Sequence, residues 1–515
     1  MQLIVSLILI IFSLIGLADA SYITYEEFSG VIPPCTQGFQ CETVLTSQYA
    51  HIGPVPISVL GILYYVMIFV LSICLYLDAS FRAITAFKNT ILSKTSPLDL
   101  LQLLTTGGVL FSAYLLFIMG FVIEAWCLYC LISATTSILL FTVVQVFVGG
   151  FSKESGYFTK QILHTVVQFL YAWVGKPLFF LFDPEHVHNS MTQMGSFLGN
   201  FAVTRWITSS FFAYQHPDLE RTLNGITFPN PVGLSAGFDY NGNLTEILPA
   251  VGFGWHTIGT VTLKPYDGNE KPRLGRFPKS QALLVNKGLK NIGAVEIIKK
   301  LKNTEFKIPT GISIASTNKH FKNTKLQIED IIECLKLFEK STVRHAYYEL
   351  NISCPNTFGG EPFNTVERLE ILLHALDSLK IERPVYVKMP IDQPEKVSLQ
   401  LLKVMDKHKI AGVIMGNLTK DKSNPAIHPD DVAEWQTRKG NLSGKPTFDR
   451  SNALIALTKK HFKKRFTIVG TGGIFSPADA QKKIELGADL VQLITGMIYK
   501  GPQLVGSINR ELAHK

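Results

Sequence analysis

The chain has 515 residues, room for two to four domains at ~100–200 residues each. It is 47% hydrophobic but only 17% charged, against about 25% charge in soluble chains, which argues against a wholly soluble protein. With 34 Phe and 17 Tyr the chain is not disordered, and seven cysteines are too sparse for a disulfide scaffold.

Charge divides the chain near residue 150. Residues 1–149 carry three basic and seven acidic side chains, a net of −4, which leaves +13 for 150–515. A basic part tethered to a membrane is expected to rest on anionic lipid. No aromatic–basic interleaving or recognition motif is present, so a nucleic-acid partner is not expected.

Four apolar stretches, 1–18, 54–77, 100–123 and 125–149, approach or exceed the ~20 residues a spanning helix needs. Ala18-Asp19-Ala20 resembles a signal cleavage site, but the preceding segment has no Lys or Arg, so a retained first helix is expected. Residues 19–53 lack Lys and Arg, whereas the 78–99 loop holds Arg82, Lys88 and Lys94. The positive-inside rule therefore places 78–99 and everything after the fourth span in the cytoplasm, with 19–53 outward.

Cys35 and Cys41 fall in the outward loop, and Cys127 and Cys130 open the fourth span at the same surface. A C-x2-C at a helix N-terminus suits dithiol chemistry, because the helix dipole stabilises a thiolate. Two pairs on one face can pass a disulfide between them. Two inert disulfides or half of a zinc site are the alternatives; His51 is the only nearby imidazole, and no metal is expected. Cys74, inside a span, reads as a buried thiol.

These residues give residues 1–149 a specific resemblance. The loop pair, the segment Ser47-Gln-Tyr-Ala-His-Ile-Gly-Pro-Val-Pro-Ile-Ser58, Gly61, Tyr64-Tyr65 and the C-x2-C resemble the vitamin K epoxide reductase family in its bacterial form. The resemblance implies a four-helix transmembrane bundle around a quinone. It also implies that Cys130 reacts with the quinone, that Cys127 exchanges with the loop pair through Cys41, and that Ser58 sits near the quinone head group.

Residues 150–215 are apolar and aromatic but broken by Gly150, Gly156, Gly175, Pro177 and Pro184, which predicts amphipathic membrane-associated helices. Beyond 230, short apolar runs at 231–236, 255–260, 310–315, 346–352, 384–389, 411–416, 466–471 and 489–494 alternate with helical patterns such as 324–340, 365–380, 393–409 and 476–487. Eight repeats over ~280 residues predict a (β/α)8 TIM barrel, with chemistry at the C-terminal strand ends. Those ends are rich in glycine and polar residues, from Ala236-Gly-Phe-Asp239 to Gly470-Thr-Gly-Gly473 and Thr495-Gly496. Glycine at the seventh and eighth ends matches the phosphate position of such barrels. The formal glycosylation sequons at Asn243, Asn351, Asn417 and Asn441 would not be modified in a cytoplasmic domain, and their carboxamides, which both donate and accept, suit a planar ring of imides and carbonyls.

Residues 173–512 resemble the membrane-associated, quinone-linked dihydroorotate dehydrogenases. The matching pieces include Pro177-Leu-Phe-Phe-Leu-Phe-Asp-Pro-Glu-His-Val-His188, Asn230-Pro-Val-Gly-Leu-Ser-Ala-Gly237, Lys271-Pro-Arg-Leu274, Asn351-Ile-Ser-Cys-Pro-Asn-Thr357 and Gly470-Thr-Gly-Gly-Ile474. The resemblance implies FMN on the barrel top, oxidation of dihydroorotate to orotate, and quinone as acceptor. Residue by residue, it implies that Asn286, Asn351, Asn356 and Asn417 hold orotate and that Cys354 is the base. It likewise implies FMN contacts at Ala236, Gly237, Thr260, Asn351, Lys388, Gly444, Gly472, Gly473, Thr495 and Gly496. Three departures stand out. Cys354 replaces the usual serine, Tyr240 and Leu418 stand where polar groups help hold the substrate carboxylate, and Ser313 replaces an FMN-contacting asparagine.

The expected organisation is a membrane domain at 1–150, a linker with quinone-tunnel helices at 151–222, and an FMN-binding barrel at 223–515. The expected protein is a bifunctional oxidoreductase of the bacterial plasma membrane, drawing on dihydroorotate, quinone, lipid and a thioredoxin-like periplasmic dithiol partner. The alternative is a barrel acting on another dihydropyrimidine, with the bundle serving only as anchor and quinone-delivery module.

Overall fold

The computed structural model describes residues 2–31, 33–35, 38–77, 97–151 and 157–514. The chain forms two compact units, Met1–Ile162 and Leu163–Lys515. The basic stretch that sets the expected orientation lies at 78–96, outside the described residues.

The first unit is built from α1 (Gln2–Phe28), a single turn α2 (Cys41–Leu45), α3 (Ile57–Leu77), α4 (Pro97–Ile118) and α5 (Leu128–Phe151). Among the described residues, four segments are long and apolar enough to cross a membrane: Val5–Phe28, Ile57–Leu77, Leu100–Ile123 and Leu128–Gln145. The first outruns the apolar stretch 1–18, because the small and aromatic residues that follow Ala18 prolong the helix to Phe28. Leu9, Tyr65, Ile68, Leu101, Leu140 and Val144 fill the seam of the bundle, while Leu110 and Phe121 face outward. The Tyr65 hydroxyl meets Ser133 at 2.8 Å and Ser137 at 3.4 Å, small polar groups that bond helix to helix.

The second unit opens with short helices, among them α6 (Lys176–Phe180), α7 (Pro184–Gly199) and α8 (Ala202–Phe212). Asp183 caps α7 by accepting the His186 N–H at 2.9 Å, with Pro184 at the first helical position. Trp173, Leu181, Phe197 and Val203 leave this helical region with a largely apolar outer face.

Eight parallel strands then close a barrel: β1 (Val232–Leu234), β2 (Trp255–Val261), β3 (Thr310–Ile314), β4 (Tyr347–Asn351), β5 (Val385–Met389), β6 (Gly412–Met415), β7 (Thr467–Thr471) and β8 (Leu490–Leu493). Neighbours in the chain are neighbours in the ring, and β8 pairs with β1 through Val491↔Val232. Every residue of these strands is buried, as expected of parallel strands covered on both faces. The helices Thr324–Glu339, Val366–Asp377 and Pro477–Glu485 pack outside, started by side-chain caps from Asn323, Thr365 and Ser476. Leu335 and Leu369 of these helices share one core cluster with the strand residues Ile312, Leu350 and Val387.

The two ends of the barrel differ in kind. At the N-terminal end, Phe228, Trp255, Tyr347 and Tyr386 form an aromatic floor. A hairpin of Arg221–Leu223 and Ile226–Phe228 belongs to this floor. Its turn, Asn224-Gly225, has positive φ at both positions (51° and 78°), as a two-residue hairpin demands. The Asn224 side chain accepts hydrogen bonds from Tyr386 and Thr467 at 3.0 and 2.6 Å, pinning the hairpin to β5 and β7. A three-stranded antiparallel sheet, Leu274–Phe277, Ala282–Val285 and Asn441–Gly444, lies apart from the barrel strands and supplies part of the cavity wall described next.

Candidate active sites

In the first unit, all four cysteines of the two expected pairs share one apolar cluster. Cys41 and Cys127 are buried in it beside Val44, Met119 and Ala125, with Cys35 and Cys130 packed against them. Cys35 and Cys41 form a disulfide, and Cys127 and Cys130 are free thiols. The loop is held to the C-x2-C segment by the Gln40 N–H on the Trp126 carbonyl at 2.8 Å and the Tyr129 hydroxyl on the Pro34 carbonyl at 2.8 Å. An oxidised pair therefore lies against a reduced one at the head of α5. Ser58 is not part of this cluster. It donates to Glu27 at 3.3 Å, and Glu27 pairs with His51 at 2.8 Å.

In the second unit, the C-terminal ends of the strands surround one cavity. Its wall includes Ala236 and Gly237 after β1, Thr260 on β2, Asn351 on β4 with Cys354 and Asn356 beyond it, Lys388 on β5, and Asn417 after β6. Gly444, Gly472, Gly473, Thr495 and Gly496 complete it. Of the four expected orotate amides, Asn351, Asn356 and Asn417 line the cavity. Asn286 stands behind the wall, its oxygen taken by the Asn269 amide at 3.0 Å.

The polar groups are ordered by one another. Asn351 donates to Thr260 at 2.9 Å, Thr260 meets Ser313 at 2.9 Å, and Ser313 donates to Glu349 at 2.8 Å. Ser353 donates to the Asn351 oxygen at 3.1 Å and receives the Asn417 amide at 2.9 Å. Lys388 reaches Ser235 at 3.1 Å and lies 3.7 Å from Glu349, deep in the barrel. Burial pushes the Cys354 thiol up to about 11, while backbone N–H donation near Asn356 and the Lys388 charge oppose the rise.

Glycine makes the remaining wall. Gly472 and Gly473 both have positive φ (89° and 73°); a Cβ on the first would strike Thr447 and on the second Phe448. Their N–H groups have no backbone partner among the described residues, so the loop offers free donors suited to an anion. Ser443 bonds Thr495 at 2.8 Å and Thr447 bonds the Gly444 carbonyl at 2.7 Å, tying the surrounding loops together. Side-chain-free loops with unused donors fit a phosphate, and Lys388 beside an amide-lined slot fits a flat polar ring.

Asn269 and the partners of Glu185 escaped the sequence reading, which gives Asn441 as a hydrogen-bonding amide without naming its partner. Asn269 bonds both Asn286 and the Asn356 carbonyl, and Asn441 donates to the Asn356 oxygen at 2.7 Å. Glu185 on α7 is buried and faces three cations. Arg273 holds both its oxygens at 2.8–3.0 Å, Lys287 lies at 2.7 Å and Lys290 at 3.7 Å. These pairs join segments about 90 residues apart, a separation that local pattern cannot reveal.

Comparison with known proteins agrees with this geometry. The profile described as "Dihydroorotate dehydrogenase" matches residues 218–515, more than half of the chain. The chain belongs to the dihydroorotate dehydrogenase family. The profile "Vitamin K epoxide reductase family" matches residues 7–145, so a domain of that family is fused ahead of the dihydroorotate dehydrogenase barrel. A "Dihydroorotate dehydrogenase (quinone)" of Christiangramia forsetii is 34% identical over 357 residues, covering 67% of this chain and 99% of its own. One from Trichodesmium erythraeum is 32% identical over 348 residues, covering 65% and 90%. The crystal structure of the Eimeria tenella enzyme with ferulenol superposes with a TM-score of 0.56 at 25% identity, covering 64% of this chain and 90% of that one. The protein is an oxidoreductase of the dihydroorotate dehydrogenase (quinone) type with a vitamin K epoxide reductase-type thiol:quinone domain. The four apolar helices make it a membrane protein, and family membership implies a flavin and a quinone acceptor.

Proposed function

We propose that the barrel oxidises dihydroorotate to orotate with FMN as its flavin and passes the electrons to a membrane quinone. The observation that carries this reading is the meeting of Cys354, Lys388 and the amides of Asn351, Asn356 and Asn417 around one cavity that loops without side chains at Gly472 and Gly473 also line. The three amides hold the flat pyrimidine ring by donating to its carbonyls and accepting from its N–H groups. Cys354 takes the C5 proton onto sulfur as the C5–C6 double bond forms. FMN, when bound, supplies the two-electron acceptor for the hydride that leaves C6. Lys388 sets a positive charge beside that acceptor and favours the thiolate of Cys354. Ala236, Gly237, Thr260, Gly444, Thr495 and Gly496 complete the FMN cradle with the two loop glycines.

The N-terminal unit acts as a second electron donor to quinone. Cys41 exchanges with a thioredoxin-like partner and with Cys127, and Cys130 delivers the electrons to a quinone whose head group lies near Ser58. The proximity of the Cys35–Cys41 disulfide to the free Cys127–Cys130 pair supports this relay. In this reading residues 1–150 form the thiol domain, 151–222 the linker and quinone-tunnel helices lying on lipid, and 223–515 the flavin domain. The cysteine loop faces the periplasm of a bacterial plasma membrane and the barrel faces the cytoplasm.

The test is purification of the full chain with its visible spectrum. Dihydroorotate added without oxygen bleaches the flavin band, and quinone restores it. A flavin that stays oxidised under dihydroorotate overturns the substrate assignment.

A further inference from the structure

Lys287 is 5% exposed and lines the cavity, and its ammonium carries three donors. One goes to Glu185 at 2.7 Å, and the other near neighbour is the Tyr240 ring, 5.3 Å from the nitrogen. Two N–H bonds of a buried cation are thus without a hydrogen-bond acceptor among the described residues, at the edge of an open cavity. Leaving such donors unmet is costly, and a ligand oxygen would meet them.

The charge balance points the same way. Among the described residues, Glu185 is the single carboxylate paired with Arg273, Lys287 and Lys290. Arg273 already takes both its oxygens, so Glu185 cannot neutralise the other two. His188, stacked edge-on against Phe238 and tilted against Tyr240, adds no counter-charge. Its imidazole is pushed down to about 4 by burial first and Lys287 second, so it is neutral at pH 7. The wall beside Tyr240 therefore carries more positive charge than Glu185, its one carboxylate among the described residues, can balance.

We propose that Lys287 binds the carboxylate of the substrate, with Arg273 and Glu185 as the clamp that fixes its position. This rests on the reading of the barrel as a dihydroorotate oxidase and assigns the cation that selects a carboxylated pyrimidine over a plain one. Arg273 and Glu185 are positioning residues, since they act through Lys287.

The full-chain holoenzyme in detergent is titrated calorimetrically with orotate and with uracil, which lacks the carboxylate. Wild type prefers orotate, and Lys287→Met reduces that preference about 10- to 100-fold by weakening orotate while uracil is unchanged. Lys287→Arg, which keeps the charge, retains most of the preference. Because Glu185 stays paired with Arg273, the Met variant keeps its clamp and its flavin, and retained uracil binding reports an intact pocket. Undiminished orotate preference in Lys287→Met overturns the assignment of Lys287. Failure of wild type to bind orotate at all overturns instead the substrate reading on which it rests.

Discussion

The two units handle electrons by different means. In the first, the reactive groups are part of the chain: four cysteines gathered in an apolar cluster, with one pair already joined. In the second, the chain provides a shaped wall of amides, three lysines, one thiol and bare glycine loops, and the electron acceptor is a guest. The contrast teaches where each unit is fragile. A covalent relay fails when one atom is removed, whereas a binding wall loses function by degrees unless its single proton acceptor is lost.

The widest separation is expected from paired knockouts. Cys127→Ala with Cys130→Ala abolishes disulfide formation in a dithiol substrate and leaves dihydroorotate-to-quinone turnover near wild type. Cys354→Ala does the reverse, losing about 10²–10⁴-fold in flavin reduction with flavin retained; stopped-flow bleaching and a disulfide assay on each variant check both halves. If the double mutant also stops dihydroorotate oxidation while folded and flavin-loaded, the two chemistries are wired together and the contrast fails.

A smaller effect sharpens the role of the thiol. With its pKa pushed up to about 11, Cys354 is almost wholly protonated at pH 7, and the thiolate grows as pH rises. Flavin reduction therefore accelerates by about tenfold per pH unit between roughly 7 and 9. A flat rate across that range removes Cys354 from the proton-transfer step.

Graded loss should follow from the wall itself. Asn269→Ala frees the Asn286 amide and one support of Asn356, which predicts a fall in kcat/KM of about 10-fold with flavin content unchanged. Steady-state kinetics beside a flavin count measures it. The smallest change is expected at the floor. Gly225→Ala, at φ 78°, costs about 1 kcal/mol in the barrel's stability with little effect on turnover, read from denaturant unfolding of the full chain.

The elements that were legible in the sequence share one property: their residues are mostly apolar along the whole run. All eight barrel strands and the four apolar spans stand out as mostly apolar runs, the strands because both faces are covered and the spans because they hold few charges. The sheet carrying Leu274–Phe277, Ala282–Val285 and Asn441–Gly444 was not legible. Its first and last strands alternate buried and half-buried residues over four positions, too short a pattern to stand out. That same sheet shapes the wall around Gly444 and leads into Asn286 and Lys287, so the least legible element carries part of the site. The clamp on Glu185 was equally hidden, since a carboxylate after Asp-Pro reads as a first-turn helix residue and nothing local announces Arg273.

The pairing of β8 with β1 has a consequence for biosynthesis. Val232 cannot find Val491 until some 260 further residues have been translated. During that interval the apolar N-terminal helices are already emerging and available to enter a bilayer, while one edge of β1 stays open. An open parallel edge is a template for misplaced strands. Vectorial synthesis thus gives the membrane helices the first chance to fold and leaves ring closure to the end. Chain shortening that removes Leu490–Leu493 is expected to release a membrane-inserted, thiol-active protein whose unclosed second unit aggregates.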